Sequence, residues 1–168
     1  APFRVAQIAI EALDAIGEAH RHSIIHRDLK SDNIMIADDG RVMILDFGLA
    51  KVIGTESDAS GTDLLMTQPG AVIGTPAYLS PEQAKGTACD ARTDIYALGV
   101  VAYDALCGVR PFTAGTFHAL LMQHLHEPPK RPEESVPDLD IPEEITEIIL
   151  KALAKDPDER WQTATEFK

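Results

Sequence analysis

Residues 26–33 read His-Arg-Asp-Leu-Lys-Ser-Asp-Asn, and residues 46–48 read Asp-Phe-Gly. Between these two motifs, Asp-Asp-Gly at residues 38–40 separates two short apolar runs, at residues 34–36 and 42–45. A turn sequence between two apolar runs predicts a hairpin that joins two strands. The two motifs, in this order around a predicted hairpin, decide the fold that the rest of the chain is expected to build.

The two motifs bring a candidate proton acceptor, a cation and two candidate magnesium ligands onto one short stretch of sequence. Asp28 is spaced to accept a hydroxyl proton, and Lys30 can contact a phosphate. Asn33 and Asp46 supply the hard oxygen atoms that magnesium prefers. Phosphoryl transfer from ATP needs such a set, because its catalysis consists mostly of positioning and of neutralising charge on the transferred group.

The two motifs resemble the catalytic loop and the metal-binding triplet of eukaryotic-type (Hanks-type) serine/threonine protein kinases. Residues 74–82 read Gly-Thr-Pro-Ala-Tyr-Leu-Ser-Pro-Glu and resemble the substrate-docking stretch and the Ala-Pro-Glu motif of that family, with serine in place of alanine. The sequence of residues 74–84 is typical of the bacterial members of that family. The resemblance covers nearly the whole chain, from Phe3 to Lys168, and it implies a protein-kinase-like fold.

This resemblance implies a role for each polar residue of the two motifs. Asp28 is the expected catalytic base, and Asn33 and Asp46 are the expected ligands of Mg2+, for which Mn2+ could substitute. Lys30 is expected to contact the γ-phosphate of ATP, and so counts as both catalytic and cofactor-binding. Met35 aligns with the apolar floor of the adenine site. On composition alone, an ordinary core methionine is an open alternative.

The resemblance also places an activation segment at residues 46–82. Its stretch from 51 to 73 is rich in Gly, Ser, Thr and Asp and has no strong periodicity, which predicts a long loop. Arg27 marks kinases whose activation loop is phosphorylated, since a guanidinium can bind a phosphate through two hydrogen bonds. Thr67 is the leading candidate acceptor, with a polar loop residue as the alternative. The resemblance implies that Thr75 forms hydrogen bonds with Asp28 and Lys30.

Four further residues are expected to support the site rather than to perform chemistry. By resemblance, His26 braces the Asp-Phe-Gly triplet and the catalytic loop, so a structural role is preferred to that of a general base. Glu82 is expected to form a buried ion pair with Arg160. Asp94 is expected to accept backbone N–H groups of the catalytic loop.

The expected domain organisation is that of an incomplete kinase domain. None of the eleven glycines shows the G-x-G-x-x-G spacing that covers ATP in a protein kinase, and no Val-Ala-Ile-Lys run occurs. We expect residues 1–168 to form a C-terminal lobe with the N-terminal lobe absent, inactive on its own. A non-catalytic truncated lobe that acts as a docking or interaction module is the alternative. Small-molecule phosphotransferases, which share a related loop, are a less favoured alternative.

Composition and charge narrow the classes of function. A chain of 168 residues fits one domain, and its net charge of −12 argues against a nucleic-acid partner and against membrane contact by this segment. The acidic stretch at 133–147 could bind basic peptides, but a solvated surface is preferred.

Cys89 and Cys107 lack C-x-x-C spacing and fit a reducing compartment. We expect a cytoplasmic location, with any membrane anchor outside this segment. The expected partners are protein substrates that present Ser or Thr, with a homodimer for trans-autophosphorylation left open.

The apolar periodicity predicts a mainly α fold with a few short β-strands. Helices are predicted at 2–19, 94–106 and 117–125, and from residue 142 until Asp156-Pro157. Strands are predicted at 24–25, 34–36 and 42–45, and a connection rich in proline and acidic residues at 127–142.

Overall fold

The computed structural model describes residues 2–47 and 76–168, and this part of the chain is mainly helical. Its helices are α1 (Pro2–Arg21), α2 (Pro81–Lys85), α3 (Ala91–Cys107), α4 (Phe117–His126), α5 (Pro132–Ser135), α6 (Glu143–Ala152) and α7 (Ala164–Phe167). The strands β1 (Ile34–Ile36) and β2 (Val42–Ile44) pair in antiparallel, and short 3-10 turns occupy Ser31–Asn33, Pro76–Tyr78 and Pro157–Glu159. The predicted fold class is confirmed.

Helix α3 lies at the centre of the fold. Asp90 caps its N-terminus by accepting the N–H of Arg92, and Gly108 ends the helix in the left-handed region with a φ of 69°. Side chains of α3 contribute to both hydrophobic clusters, as its apolar sequence predicts, and the helix contacts both α1 and α6. A Cβ atom at Gly99 would lie 2.9 Å from Cβ of Ala152, so glycine permits this close approach of α3 and α6.

One hydrophobic cluster lies directly beneath the first motif. Leu13 and Ile16 from the apolar stripe of α1 pack there with Ile95 and Leu98 of α3. Leu29, from the middle of the first motif, belongs to the same cluster and is only 1% exposed. Burial of a leucine side chain contributes about 1.5–3 kcal/mol. This one residue therefore anchors the loop of the first motif to the helical core.

The hairpin between the two motifs forms as predicted. Strand β1 pairs with β2 over its whole length, with Met35 opposite Met43. Gly40 in the turn has a φ of 88°, a conformation that favours glycine. The N–H of Val42 donates to Oε2 of Glu11 at 2.9 Å, which ties β2 to α1. Strand β2 ends one residue earlier than the predicted range.

The predicted strand at residues 24–25 is wrong. The N–H of Ile24 donates to the carbonyl oxygen of Ala19 at 2.9 Å, and Ser23 has a φ of 59°. This segment therefore closes the C-terminal end of α1 instead of pairing with a strand.

Other boundaries differ in detail from the predicted ones. The connection at 127–142 contains the short helix α5, and α6 ends at Ala152, ahead of the predicted Asp156-Pro157 stop. Helix α2 was not predicted, although its start carries a capping box between Ser80 and Gln83. The long loop predicted at 51–73 lies outside the described residues. Within 2–47 and 76–168, no helix combines the length and the apolar character that crossing a membrane requires.

Candidate active site

A buried carboxylate of α3 holds the loop that carries the first motif. Asp94, in the first turn of α3, is 1% exposed. Its Oδ2 accepts the N–H of His26 and its Oδ1 accepts the N–H of Arg27, each at 2.8 Å. A third partner, Nε2 of His20 at the end of α1, lies 2.8 Å from Oδ2. Asp94 therefore fixes the backbone immediately before the expected base, and negative charge is favoured at this end of a helix.

The backbone of Arg27 adopts a left-handed conformation with a φ of 67°, which is uncommon for residues other than glycine. Such conformations cost about 1–3 kcal/mol and persist where the surroundings over-determine them. Here the N–H is bound by Asp94, and the carbonyl accepts from Nε2 of Gln83 at 2.6 Å. The Arg27 residue itself is exposed. The loop is thus held at this one residue by α3 and by α2.

The His26 ring joins the two motifs. Its Nε2 lies 2.8 Å from the carbonyl oxygen of Leu45, and its Nδ1 accepts the N–H of Asp28 at 3.3 Å. A carbonyl can only accept and a backbone N–H can only donate, so both bonds require the neutral ring with its proton on Nε2. The ring also contacts Phe47, with the ring centroids 4.9 Å apart. Because both nitrogens are engaged, the geometry favours a structural role for His26.

The expected base and the expected phosphate-binding lysine are in contact. Nζ of Lys30 donates to Oδ2 of Asp28 at 3.1 Å. The Asp28 side chain is 44% exposed and that of Lys30 is 21% exposed, so a substrate hydroxyl can approach the carboxylate.

The two expected magnesium ligands are brought together by the hairpin. Nδ2 of Asn33 donates to the carbonyl oxygen of Asp28 at 2.9 Å, which leaves the amide oxygen as the atom available to a cation. The carbonyl of Asn33 accepts the N–H of Leu45 at 2.8 Å, and Asp46 is the residue that follows Leu45. Asp46 is exposed and has a φ of 60°.

This donor set fits a magnesium ion that enters together with phosphate. Both side chains offer oxygen atoms, and Mg2+ is usually bound by one or two carboxylates plus the phosphates of its substrate. Among the side chains of residues 2–47 and 76–168, no group of three from His, Cys, Asp and Glu could hold a metal ion alone. In such a site, Asn33 and Asp46 would supply part of the coordination shell and phosphate oxygens another part.

Met35 is not a core residue, so the alternative considered for it is wrong. The side chain is 47% exposed on the hairpin, next to its cross-strand partner Met43, which is 41% exposed. Because paired residues point to the same face of a hairpin, Met35 and Met43 form a small apolar surface beside the candidate active site. An apolar surface in this position fits the predicted adenine floor.

Arg160 and Glu82 form a buried ion pair in the structure. The Arg160 residue is 2% exposed and Glu82 is 6% exposed, and the two guanidinium nitrogens Nη1 and Nη2 donate to Oε1 and Oε2, each at 2.8 Å. The other N–H groups of Arg160 donate to the carbonyls of Arg92, Ala154 and Lys155, so all five are satisfied. The pair fixes the residues that follow the 3-10 turn Pro76–Tyr78.

The ion pair also sets the charge state of Glu82. Burial acts to raise the pKa of this carboxyl, but the hydrogen bonds and positive charge of Arg160 outweigh burial and hold the pKa below its usual value of 4.5. The hydroxyl of Thr93 adds a further hydrogen bond to Oε1 at 2.8 Å. Glu82 is therefore ionised at neutral pH in spite of its burial.

Some contacts of the site were not predicted, and two predicted residues are not described. Thr67 and Thr75 lie outside the described residues. The unpredicted contacts involve His20, Gln83, and the pair of hydroxyls of Ser31 and Tyr78, which lie 2.9 Å apart. Only Gln83 carried a signal in the sequence, because Ser-x-x-Gln is a capping-box pattern. The other contacts join residues that are far apart in the chain.

The acidic stretch at 133–147 is partly neutralised within the fold. Arg131 donates to Oε1 of Glu143 at 2.7 Å and to Oε1 of Glu147 at 2.9 Å. Glu133 accepts the hydroxyl of Thr146 at 2.9 Å. These contacts favour the predicted solvated surface over a site for basic peptides.

The fold and the arrangement of the two motifs define the class of protein to which the chain belongs. A sequence model of the protein kinase domain family matches residues 2–168. The chain belongs to this family, and the predicted resemblance to bacterial Hanks-type kinases is confirmed.

Relatives from bacteria are similar over the whole chain. "Serine/threonine-protein kinase PknB" of Mycolicibacterium smegmatis is 43% identical over 168 residues, which are 100% of this chain and 26% of the relative. "Probable serine/threonine-protein kinase SCO3848" of Streptomyces coelicolor is 43% identical over 167 residues, which are 99% of this chain and 24% of the relative. "Serine/threonine-protein kinase PknB" of Mycobacterium tuberculosis is 41% identical, again over 99% of this chain and 25% of the relative. The chain thus spans about a quarter of the length of the curated relatives that it matches.

Replacing Arg160 by methionine is expected to destabilise the chain strongly. The substitution leaves the buried carboxylate of Glu82 without a partner, and breaking a buried ion pair in this way costs about 3–5 kcal/mol. The double variant Glu82→Met/Arg160→Met should recover part of this loss, because it leaves no unpaired buried charge. Urea unfolding of the three proteins measures the differences. Glu18→Gln, which removes a surface carboxylate, is the control and should change little; an equally stable Arg160→Met would contradict the role of the pair.

The ion pair also predicts a defined dependence of stability on pH. Because the pKa of Glu82 is lowered in the folded chain, its contribution to stability is fully present above its usual value of pH 4.5 and is lost as the pH falls through the folded pKa. Glu82→Gln lacks this contribution. The difference in Tm between the native chain and Glu82→Gln should therefore shrink as the pH falls below 4.5. A difference that stays constant down to about pH 3, well below the usual pKa of a glutamate, would count against this assignment.

Proposed function

We propose that the protein to which this chain belongs is a serine/threonine protein kinase, which transfers the γ-phosphate of ATP to Ser and Thr hydroxyls of protein substrates. The observation that carries the proposal is the pair of hydrogen bonds that Asn33 makes. Its side chain binds the carbonyl of Asp28, and its own carbonyl binds the N–H of Leu45. One residue thereby joins the expected base to the Asp-Phe-Gly triplet, which is the arrangement that phosphoryl transfer requires.

In this proposal, Asp28 accepts the proton of the substrate hydroxyl. Its carboxylate is exposed enough to be approached, and its backbone N–H is held by the ring of His26. Lys30, 3.1 Å from that carboxylate, lies where it can also contact the phosphate that is transferred. A lysine acts on phosphate as a point charge, so it stabilises negative charge without fixing a single geometry.

Asn33 and Asp46 would hold magnesium through their side-chain oxygens, and Mn2+ could replace it. Magnesium, when bound with ATP, bridges phosphate oxygens and neutralises the charge that develops on them. Met35 would contact the adenine ring through the exposed apolar face of the hairpin. The contribution of the chain itself would be to hold the segment that carries Asp46 close to Asn33, and the hydrogen bond between Asn33 and Leu45 supports this role.

Regulation and partners follow from the same assignment. We assign the catalytic loop to residues 26–33 and the activation segment to residues 46–82. Arg27 is exposed on its clamped backbone and is available to a phosphate on Thr67, while Thr75 would contact the base and the lysine. Protein substrates and a homodimer for trans-autophosphorylation are the partners that this role requires. The cysteines of the described residues are free, which supports a cytoplasmic location.

A second candidate function is that of a non-catalytic docking module. The exposed apolar side chains of Met35 and Met43, on one face of the hairpin, form a surface that another protein or domain could cover. The same surface fits a nucleotide site, so its presence alone does not separate the two candidates. A test of phosphate transfer separates them.

Substitution of Asp28 tests the proposed function directly. Phosphate transfer from labelled Mg-ATP to a Ser/Thr-rich protein is measured for the 168-residue chain and for a longer protein that contains it. Asp28→Asn keeps the shape but removes the proton acceptor, so incorporation should fall by a factor of about 10²–10⁴. Asp32→Asn, an exposed aspartate in the same loop, is the matched control and should retain activity.

The outcomes are distinct. Loss in Asp28→Asn with activity kept in Asp32→Asn supports the kinase. Equal incorporation in the native protein and in Asp28→Asn contradicts the assigned base. No incorporation in the longer native protein favours the docking module.

A further inference from the structure

We propose that the neutral ring of His124 fastens helix α4 to the 3-10 turn Pro76–Tyr78, and that a proton on this ring releases the helix. Among the residues of α4, all of which the structure describes, His124 alone is buried, at 0% exposure. The other face of the helix is open, with Phe117 and Met122 exposed. A titratable side chain therefore anchors a helix that an aliphatic residue would ordinarily hold. The inference goes beyond the proposed function and rests on it only for the effect on activity.

The surroundings of the ring hold it in the neutral form. The hydroxyl of Tyr96 lies 2.9 Å from Nδ1 of His124, and this nitrogen is its one hydrogen-bond partner in the described part of the chain. Burial raises the pKa of Tyr96, so the hydroxyl keeps its proton and donates a hydrogen bond to Nδ1. A neutral ring that accepts at Nδ1 carries its own proton on Nε2. Phe112 packs against the same ring, with the ring centroids 4.8 Å apart.

A cation already lies beside the ring. Nζ of Lys155 donates to the carbonyls of Gln123 and His124, at 3.0 and 2.8 Å. It also lies 4.0 Å from the centroid of the Phe112 ring. A cation that binds carbonyls in the last turn of a helix stabilises that end. Burial lowers the pKa of Lys155 to about 8, so this side chain stays charged in acid. A protonated ring would thus lose the hydrogen bond from Tyr96 and add a second positive charge beside Lys155.

The other charged groups around the ring leave that repulsion in place. The guanidinium of Arg160 lies 4.9 Å from the centroid of the Tyr96 ring, and it is paired with Glu82. The carboxylate of Glu127 favours the charged form of Lys155. Both carboxylates are therefore engaged with other cations, and neither forms an ion pair with the ring.

The pH dependence follows from these contacts. Burial, and then the charge of Lys155, lowers the pKa of His124 from 6.5 to about 4, while the nearby backbone of Ala77 acts in the opposite direction. In a released helix the ring has its usual pKa, so the released form binds the proton more readily. The fastening is therefore fully present above pH 6.5 and weakens as the pH falls toward 4.

The turn Pro76–Tyr78 is the element that α4 covers. Ala77 is 2% exposed and lies in one hydrophobic cluster with Tyr96 and Phe112. Helix α4 contacts this turn, and the ring of His124 approaches the backbone of Ala77. The turn lies within the stretch that resembles a substrate-docking sequence, inside the proposed activation segment. His124 is accordingly a positioning residue, which would act on how a protein substrate binds without touching the reacting groups.

Asparagine at two positions of α4 gives a matched comparison. His124→Asn keeps an acceptor for the Tyr96 hydroxyl, because its Oδ1 takes a position similar to that of Nδ1, but it cannot take up a proton. His126→Asn is the control, since His126 is exposed in the last turn of the same helix, where a positive charge is favourable and cannot cause release. Amide hydrogen exchange of the 168-residue chain is followed by NMR at Leu121 and its helical neighbours, from about pH 7 to about pH 4. The amide of the buried Val100 in α3 reports global unfolding.

The expected profiles differ in slope. The protection factor, which is corrected for the intrinsic effect of pH on exchange, is compared between Leu121 and Val100. In the native chain and in His126→Asn, protection of Leu121 should fall by nearly tenfold per pH unit below 6.5, and by roughly 10²-fold in all, relative to Val100. In His124→Asn, protection of Leu121 should not depend on pH over this range. A flat profile in the native chain, the native slope in His124→Asn, or an equal loss at Val100 would overturn the proposal.

A measurement on the native chain keeps the test decisive if His124→Asn does not fold. The ring signals of His124 should titrate well below pH 6.5, and titration at pH 6.5 or above would overturn the proposal.

Kinetics of an active longer protein test the positioning role. KM for a protein substrate should rise more steeply in acid for the native protein than for His124→Asn, while kcat follows the same pH profile in both. Equal pH profiles of KM would contradict the role. If that native protein transfers no phosphate, the proposed function fails, while amide exchange still decides the role of His124.

Discussion

The contact on which the site depends is the one between the Asp94 carboxylate and two successive backbone N–H groups of the loop. Burial of a carboxylate is unfavourable unless hydrogen bonds replace its lost water. Here the N–H groups of His26 and Arg27 and the ring of His20 supply them, at the N-terminal end of α3 where negative charge is favoured. The loop therefore keeps its strained backbone, with φ of 67° at Arg27, because α3 holds it.

The first turn of α3 also supports a second part of the site. Thr93, the neighbour of Asp94, donates to Oε1 of Glu82, and Arg160 donates to the carbonyl of Arg92 in the same turn. One turn of one helix thus binds the loop on one side and the Glu82–Arg160 ion pair on the other. The proposed activation segment ends at that ion pair. The loop and the ion pair are consequently held by the same rigid helix. A site that must keep several groups in fixed geometry requires such support.

The sequence was informative wherever the signal was local. The hairpin followed from Asp-Asp-Gly between apolar runs, and α3 followed from its apolar sequence and was confirmed. The predicted strand at 24–25 failed because two isoleucines are apolar in either a strand or a helix-closing turn, and only the bond from Ile24 to Ala19 decides between them.

The sequence was least informative about long-range polar contacts. The two motifs indicated Asp28, Asn33 and Asp46 as a group of site residues. The chemical roles of these three residues stay predictions. The contact of His20 with Asp94 had no local signal, since the residues are 74 positions apart and a histidine near the end of a helix is common on surfaces. Such contacts depend on how α1 and α3 pack, which periodicity alone does not specify.

The most direct test of the proposed magnesium ligands is to locate where the chain binds a divalent ion that is carried by ATP. The isotope-labelled chain is titrated with Mn-ATP, and the broadening of amide signals by the paramagnetic ion is read by NMR. We expect broadening that is strongest at Asn33 and Asp46, that is reduced in Asp46→Asn, and that is unchanged in the hairpin-turn variant Asp39→Asn. Broadening confined to the acidic stretch at 133–147, or insensitive to Asp46→Asn, would contradict the roles proposed for Asn33 and Asp46.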